Sequence, residues 1–315
     1  GDGYVFYRYG TGNYKLVAYQ GDETVLVFPD QYNGYNYYID YEAFNSYRNI
    51  TSITFGIGVT KIYGSSWGGP FSGCYNLKEL IVKEGNTVYR SDGNCIIEIA
   101  TGQIIAGCKG SIIPIDGTVT SIADGAFRST GIENLIIPDS VTRIGDAAFE
   151  FSNLKTISIP STIEYVGHSA FYGCKDLQYT IKNGLRYLGN AENPYLICVQ
   201  VEDDYTNDIA IANVESGCRI IMGEAFTICR YLQTVNLPDG LVFIGTYAFN
   251  YNGKITSMTI PKSIKYIESY AFSGCVNLTS LTFLGTVEEW NAVVKERGWN
   301  NNITEVVCSN GTVTL

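Results

Sequence analysis

Residues 136–149 spell IIPDSVTRIGDAAF, and residues 158–171 spell the related SIPSTIEYVGHSAF. Both segments end in Ala-Phe, and their phenylalanines lie 22 residues apart, at positions 149 and 171. A fixed period of this length is typical of proteins that stack one supersecondary unit on the next. Alignment on this residue places the following phenylalanines in one repeat position: Phe44, Phe71, Phe127, Phe149, Phe171, Phe226, Phe249 and Phe272.

The residues around the repeated phenylalanine carry a regular apolar pattern. An isoleucine or valine stands five residues before it, as at Ile144 and Val166, and a short alternating segment such as Leu135 and Ile137 lies between consecutive copies. Each unit therefore contains one short strand, a turn and a stretch that carries Ile and Phe inward. Because a single unit cannot bury its apolar side, consecutive units must stack. The pattern predicts one elongated right-handed solenoid with a parallel β-sheet on one face and few helices.

The repeat also suggests how the chain is organised. We expect an N-terminal β cap over residues 1–35, a solenoid over 36–285 with insertions near 86–110 and 179–215, and a C-terminal cap over 286–315. The first insertion is predicted to be a hairpin that turns at Thr101-Gly102, and the second to contain strands at 195–201 and 209–214. At the C-terminus, Thr286 and Glu289 fit a capping box before a helix from about 287 to 297, followed by a final hairpin over 306–315.

Composition excludes several classes of function. The chain has 315 residues, 21 Lys and Arg against 31 Asp and Glu, and a net charge of −10. This charge disfavours nucleic acid and anionic lipid as partners. We expect no membrane insertion by this segment, which lacks an apolar run of about 18 residues, and an export signal is not found at its start. A single histidine, His168, argues against His-ligated zinc and Ser-His or Cys-His catalysis.

Several motifs resemble one known family. The segments at 136–149 and 159–177, the insert YRSDGNCII at 89–97, and the ending GTVEEW with VCSNGTVTL at 285–290 and 307–315 are similar to BspA-like leucine-rich-repeat proteins of gut and oral bacteria. The resemblance covers about residues 36–315. It implies a leucine-rich-repeat solenoid, an exported or cell-surface location, and in some members an adhesive role. It transfers no catalytic residue.

The nine cysteines fit structural positions better than chemical ones. Cys74, Cys174, Cys229 and Cys275 share the repeat position that Thr130, Ser152 and Asn252 occupy in other units, so we expect them to be buried between coils, and Cys218 to be a small core residue. Cys95 and Cys108 lie symmetrically about the Thr101-Gly102 turn. They either form a cross-strand disulfide or are kept apart by a bulge at Gly102. The absence of C-x-x-C spacing disfavours a zinc site.

The remaining candidate sites have ordinary explanations. His168 occupies a variable position that we expect to be exposed. The acidic residues Glu202, Asp203, Asp204 and Asp208 lack EF-hand spacing, so a solvated loop is favoured over a calcium site. No phosphate-binding glycine loop is present, and no carboxylate pair stands out. We therefore predict no catalytic residue, no metal and no cofactor, and we expect the protein not to be an enzyme.

The outward face of the predicted sheet is rich in hydroxyl and amide side chains. The candidate ligand contacts are Trp67, Glu79, Asn134, Thr156, Ser158, Thr234, Asn236, Ser257 and Thr259. This composition agrees either with plain β-propensity or with a shallow recognition surface. Tyrosines crowd the N-terminal segment, where they either pack the cap or anchor a partner, as aromatic rings stack on sugars: Tyr32, Tyr35, Tyr37, Tyr38 and Tyr41.

Two functions remain open from the sequence. The first is an extracellular or cell-surface binding and adhesion module, monomeric, that recognises protein or glycan through the sheet face and loops. The second is a structural spacer within a larger surface protein, with no ligand of its own.

Overall fold

The structure is a computed structural model and describes residues 3–64, 68–202 and 209–315. Two compact units are present. Unit 1 comprises Gly1–Thr162 and Ser169–Gln178, and unit 2 comprises Ile163–His168 and Tyr179–Leu315. Each unit is built from coils that add short parallel strands to a sheet, as the repeat predicts.

The coils of unit 1 contribute short parallel strands to sheets on two sides of the unit. Parallel pairing joins β2 to β4 and β6, β3 to β5 and β7, β10 to β11 and β13, and β12 to β14. Most coils therefore add one strand to each of two sheets. The strands are β1 Tyr4–Gly10, β2 Asn13–Tyr19, β3 Val25–Val27, β4 Tyr37–Ile39, β5 Ser52–Phe55, β6 Val59–Ile62, β7 Glu79–Val82, β8 Tyr89–Asp92, β9 Cys95–Glu98, β10 Gln103–Ala106, β11 Ser121–Ile122, β12 Asn134–Ile136, β13 Arg143–Ile144 and β14 Thr156–Ser158.

Unit 2 repeats this arrangement. Its longest sheet has the order β16-β17-β18-β20-β22-β24-β26, and two shorter sheets have the orders β19-β21 and β23-β25-β27-β28. The elements are β15 Tyr165–Val166, β16 Thr180–Lys182, β17 Leu185–Leu188, β18 Ile197–Val201, β19 Ile211–Asn213, β20 Ile220–Ile221, β21 Thr234–Asn236, β22 Phe243–Ile244, β23 Thr259–Ile260, β24 Tyr266–Ile267, β25 Ser280–Phe283, α1 Val287–Ala292, β26 Val294–Lys295, β27 Glu305–Cys308 and β28 Gly311–Thr314.

The repeated phenylalanines form the centre of each core. All eight are at most 3% exposed. In unit 1 the rings of Phe149 and Phe171 are stacked with centroids 5.5 Å apart and planes 2° from parallel, and in unit 2 Phe249 and Phe272 stack at 5.5 Å and 3°. The backbone N–H of Phe149 donates to the carbonyl of Ala170, at 2.8 Å. One residue thus links neighbouring coils through both its ring and its backbone.

Small polar side chains satisfy the carbonyl of this phenylalanine. The thiols of Cys74, Cys174 and Cys275 donate to the carbonyls of Phe44, Phe149 and Phe249, each at 3.0 Å. Asn252 fills the same position and donates its amide to the carbonyl of Phe226, at 2.6 Å. These residues are buried. Their burial confirms that this repeat position is structural.

Left-handed backbone flanks the phenylalanine in many coils. Around Phe226, Glu224 has φ 63° and Ile228 has φ 58°. The N–H groups of all three residues donate to the next coil, to the carbonyls of residues 246, 248 and 250. Positive φ therefore occurs two residues before and two residues after the phenylalanine, and the N–H groups of these three alternate residues all point along the stack. Residues other than glycine are strained in this conformation, because their Cβ atom approaches the carbonyl oxygen too closely.

The C-terminal segment differs from the sequence-based prediction. The helix expected over 287–297 ends at Ala292, because Val294–Lys295 form a strand that pairs with Tyr266–Ile267. The capping box of Thr286 and Glu289 is present. Trp290 and Val293 are buried, whereas Val294 is 49% exposed.

The insertions form more strands than were expected. In the first, β9 and β10 make the predicted hairpin, and β8 adds an antiparallel third strand. In the second, the expected strands become β18 and β19, which lie in separate sheets, while β16 and β17 form a hairpin that the sequence did not indicate. Hairpins also occur at both ends of the chain, β1–β2 and β27–β28.

Cys95 and Cys108 do not form a disulfide; both thiols are free and buried. The pairing of β9 with β10 shifts register between Ile104 and Ala106, so the two cysteines are not placed directly across from each other. The bulge therefore lies beyond Gly102, later in the strand than expected.

Replacement of Phe149 by Ala is expected to lower the free energy of unfolding by about 3–5 kcal/mol. The substitution removes a fully buried ring together with its stacking contacts to Phe127 and Phe171. Phe151→Ala is the matched control, since Phe151 is 41% exposed; it should cost about 1 kcal/mol or less. Urea unfolding followed by circular dichroism measures both. A loss below about 1 kcal/mol for Phe149→Ala would contradict the proposed core.

The substitution Glu224→Gly is expected to raise the free energy of unfolding by about 0.5–1 kcal/mol, because glycine adopts the left-handed conformation without strain. Loss of the Glu224 side chain should matter little, since it is exposed. Glu224→Ala keeps the Cβ atom and should change stability by less than about 0.5 kcal/mol. Thermal and urea unfolding of the two variants separate the backbone effect from side-chain loss. Equal stability of the glycine and alanine variants would show that no strain is stored there.

Candidate functional site

The outward faces of the short sheets carry most of the predicted contact residues. In unit 1, Leu135 of β12 points inward and is buried, whereas Asn134 and Ile136 on either side of it are exposed. Parallel pairing sets Thr156 beside Asn134 and Ser158 beside Ile136. The Thr156 hydroxyl donates to Asn134 Oδ1 at 2.7 Å. A small hydrogen-bonded row of neutral side chains therefore lies on this face.

The first coils of unit 1 show a variant of the same face. Glu79 of β7 is exposed, and its carboxylate accepts a hydrogen bond from Ser52 of β5 at 2.7 Å. Ser52 is itself buried. The neighbouring strand β3 exposes Val25 and Val27, which are 56% and 53% accessible. Apolar side chains thus share this face with the polar ones.

Unit 2 repeats the arrangement on β19 and β21. Thr234 and Asn236 are exposed on either side of the buried Val235, and Asn236 donates its amide to Asn213 Oδ1 at 2.7 Å. Ile211 lies beside Thr234 and is 55% exposed. Thr259 is exposed on β23, and Ser257 is exposed just before that strand.

With one exception, the predicted contacts therefore lie on the outward faces of four separate sheets: Glu79 on β3-β5-β7, Asn134, Thr156 and Ser158 on β12-β14, Thr234 and Asn236 on β19-β21, and Thr259, with Ser257 just before it, on β23-β25-β27-β28. Trp67 lies outside the described residues. Aliphatic side chains also lie on these faces, at outward positions that follow from the alternation of inward and outward residues. The outward aliphatic residues are Val25, Val27, Ile81, Ile136, Ile211 and Val307.

One charge pair lies next to the Asn134–Thr156 row. Lys155 Nζ lies 2.7 Å from Glu133 Oε2. The hydrogen bond from Lys155 lowers the pKa of Glu133, and the same bond raises the pKa of Lys155. Both groups keep their charge at neutral pH, and they offset each other. This row consequently offers hydrogen bonds and apolar contact rather than a net charge.

The described residues do not assemble a reactive centre. All nine cysteines are free and buried, and burial raises the pKa of Cys74, Cys95 and Cys218 to about 12. His168 is exposed, as expected. Within residues 3–64, 68–202 and 209–315, no three His, Cys, Asp or Glu side chains are grouped as metal ligands would be. Of the acidic loop, Glu202 is described, whereas Asp203, Asp204 and Asp208 lie outside the described residues.

The sequence matches a known repeat family. Six copies of the BspA type leucine rich repeat region are found over residues 28–95, 102–192 and 204–310. The comparison with curated proteins gives no match. No helix in the described part of the chain has the length and apolar character needed to span a bilayer.

Similar solved structures come from several bacteria. A leucine rich cell surface protein of Faecalibacterium prausnitzii A2-165 is 20% identical, with 93% of this chain and 96% of that chain covered and a TM-score of 0.36. A leucine-rich repeat protein of Bacteroides ovatus ATCC 8483 is 18% identical, with coverage of 98% and 70% and a TM-score of 0.38. The pneumococcal vaccine antigen PcpA is 16% identical, with coverage of 98% and 85% and a TM-score of 0.31.

The buried thiols are expected to resist modification. At pH 8 an ordinary thiol, with a pKa near 8.5, reacts readily with Ellman's reagent. In guanidinium all nine cysteines should react in this way. The folded protein should react far more slowly, because its thiols are buried. A full reaction within the mixing time without denaturant would contradict this.

The same pKa shifts predict alkaline destabilisation. Above about pH 8.5 the unfolded chain loses thiol protons that the folded chain retains. This contribution to stability is complete below that pH and is lost as the pH rises toward about 12, the folded pKa of Cys74, Cys95 and Cys218. Urea unfolding between pH 7 and 10.5 measures the decline; constant stability across this range would contradict it.

Proposed function

Because the chain belongs to the BspA-type leucine-rich-repeat family, we propose that it is a non-enzymatic binding and adhesion module displayed outside the cell. The partner contacts are the outward sheet faces, and the partner that these faces fit best is a protein. A glycan remains the second candidate for this role, and a spacer without a ligand is the outcome that negative binding data would favour.

The observation that carries this proposal is the combination of neutral hydrogen-bonding rows with exposed aliphatic side chains. Ile136 is 72% exposed beside the Asn134–Thr156 row, and Ile211 is 55% exposed beside Thr234. Burial of an aliphatic side chain of this size is worth about 1.5–3 kcal/mol. A protein partner can cover such residues with its own apolar side chains while its backbone bonds to the hydroxyls and amides.

The chemistry of the buried groups agrees with an extracellular location. Oxidising surroundings form disulfides from reactive thiolates. Here every thiol is buried and protonated at neutral pH. The protein is therefore suited to such surroundings without disulfides of its own.

The test uses one charged substitution on the face of each unit. Binding of the protein to immobilised host matrix proteins and mucins is measured by biolayer interferometry, with the double variant Ile136→Arg/Ile211→Arg beside the wild type. We expect saturable binding to at least one partner and a loss of affinity of at least about tenfold in the variant. Both positions are exposed, so circular dichroism should show an unchanged fold.

The control is Tyr251→Arg, which places the same charge at a 64% exposed position outside the sheet faces. Unchanged binding of this control assigns the effect to the faces. Equal loss in control and variant would indicate a general charge effect and contradict the proposed surface. Absence of saturable binding to every partner would reject the adhesion role in favour of the spacer.

A further inference from the structure

A cleft in unit 1 is lined by aromatic and amide side chains. It has a volume of about 420 Å³, within the range of small-molecule pockets, roughly 300–1,000 Å³. It lies among the β1–β2 turn, the loop before β4, and strands β4 and β6. The lining residues are Tyr9, Gly12, Asn13, Tyr14, Gln31, Gly34, Tyr35, Asn36, Tyr38 and Thr60. We call this site the tyrosine cleft.

The loop that carries Tyr35 is held rigidly. Tyr32 and Tyr35 exchange two backbone hydrogen bonds, at 2.9 and 3.0 Å. The two residues between them, Asn33 and Gly34, have φ 50° and 78°. Positive φ at both central residues is the signature of a type I′ turn, for which Asn-Gly is the preferred sequence. The turn therefore holds Tyr35 in place before any ligand binds.

The Tyr35 ring packs on the turn of the first hairpin. A Cβ atom added to Gly12 would lie 2.7 Å from the ring, so the ring rests directly on the glycine backbone. The ring of Tyr14 lies 5.9 Å away, centroid to centroid. Tyr35 is nevertheless 48% exposed. A supported ring with a free surface is available for stacking.

A second pair of rings contributes to the cleft. The centroids of Tyr9 and Tyr38 are 6.2 Å apart, and Tyr9 is 46% exposed. Tyr38 is supported in turn by an edge contact with Tyr63, at 6.0 Å. Partial burial and the neighbouring Tyr38 raise the pKa of Tyr9. The phenol of Tyr9 therefore stays neutral at physiological pH.

A strand irregularity supplies a hydroxyl to the lining. On β4 and β6, Tyr37 faces Val59 and Tyr38 faces Lys61, so Thr60 is the extra residue of a β-bulge. Bulges re-aim side chains at functional sites. The amides of Asn13, Gln31 and Asn36 complete the polar lining. The Gln31–Asn36 hydrogen bond is 3.4 Å long, which is weak enough for a ligand to replace it.

We propose that the tyrosine cleft binds a neutral saccharide. A pyranose ring has C–H faces that pack against aromatic rings, and an edge of hydroxyls that are both donors and acceptors. The exposed phenol rings of Tyr9 and Tyr35 match the faces, and the amides of Asn13, Gln31 and Asn36 match the edge, because each amide offers a donor and an acceptor.

The lining also selects among ligands. Of the described residues, none that lines the cleft carries a formal charge at neutral pH. A sialic or uronic acid would therefore meet no cationic partner there. A proline-rich peptide also binds aromatic grooves, but it offers few hydroxyls to the three amides. The saccharide thus uses more of the cleft.

This inference goes beyond the proposed function and uses a different surface from the sheet faces. Isothermal titration calorimetry and a glycan array test neutral hexose and N-acetylhexosamine oligosaccharides against sialylated and uronate-containing ones, and against a proline-rich peptide. We expect saturable binding of at least one neutral saccharide, and weaker or absent binding of the acidic ones.

Variants assign the binding to the cleft. Tyr35→Ala and Tyr9→Ala should each weaken binding at least about tenfold, because each removes a stacking ring. Tyr35→Phe keeps the ring and should retain most of the affinity. Asn36→Ala tests the polar edge without changing an aromatic contact, and should weaken binding several-fold. Tyr172→Ala is the control, since Tyr172 is 63% exposed in the same unit but does not line the cleft.

The outcomes are separable from those of the adhesion test. The Ile136→Arg/Ile211→Arg variant should bind the saccharide normally, whatever its effect on protein partners. The cleft proposal is overturned if no neutral saccharide binds, if Tyr35→Ala and Tyr9→Ala bind as the wild type does, or if the peptide alone binds through these tyrosines.

Discussion

The backbone bond from the repeated phenylalanine to the next coil is the contact on which the rest of the structure depends. In unit 1, the N–H of Phe149 donates to Ala170, while its ring stacks on Phe171. The ring centroids lie 5.5 Å apart, and the backbone bond satisfies a polar group that burial would otherwise leave unpaired. Packing and hydrogen bonding therefore act at the same residue and together hold successive coils in register.

This contact places strict demands on the inward residues. The carbonyl of Phe149 accepts a hydrogen bond from the thiol of Cys174, which lies in the next coil. Cysteine and asparagine supply this donor to the preceding coil at Cys74, Cys174, Cys275 and Asn252, whereas Thr130 donates to the carbonyl of Phe127 in its own coil. Cysteine here acts as a hydrogen-bonding core residue, and its raised pKa is a consequence of burial rather than a sign of reactivity.

The local period was enough to predict the coils, the buried phenylalanines and the outward polar rows, since each follows from alternation within a short segment. What could not be predicted depends on partners distant in sequence. The helix ends at Ala292 because Val294 pairs with Tyr266. Cys95 and Cys108 stay apart because of a register shift. Thr60 enters the tyrosine cleft through a bulge against β4. Composition indicated the excess of tyrosine, but only the folded chain shows which rings are supported and which are free.

The separation of inward and outward roles explains where binding can develop in such a fold. Each coil commits its Phe, Ile and small polar residues to the stack, so the outward positions carry no structural demand beyond β-propensity. An exposed aliphatic such as Ile136 is therefore free to contact another molecule, and so is the Tyr35 ring, which lies half-exposed over Gly12. Features that the stack does not require point to contacts with another molecule. We propose that the sheet faces, which offer apolar side chains beside hydrogen bonds, contact a protein, and that the tyrosine cleft, which offers rings beside amides, binds a sugar.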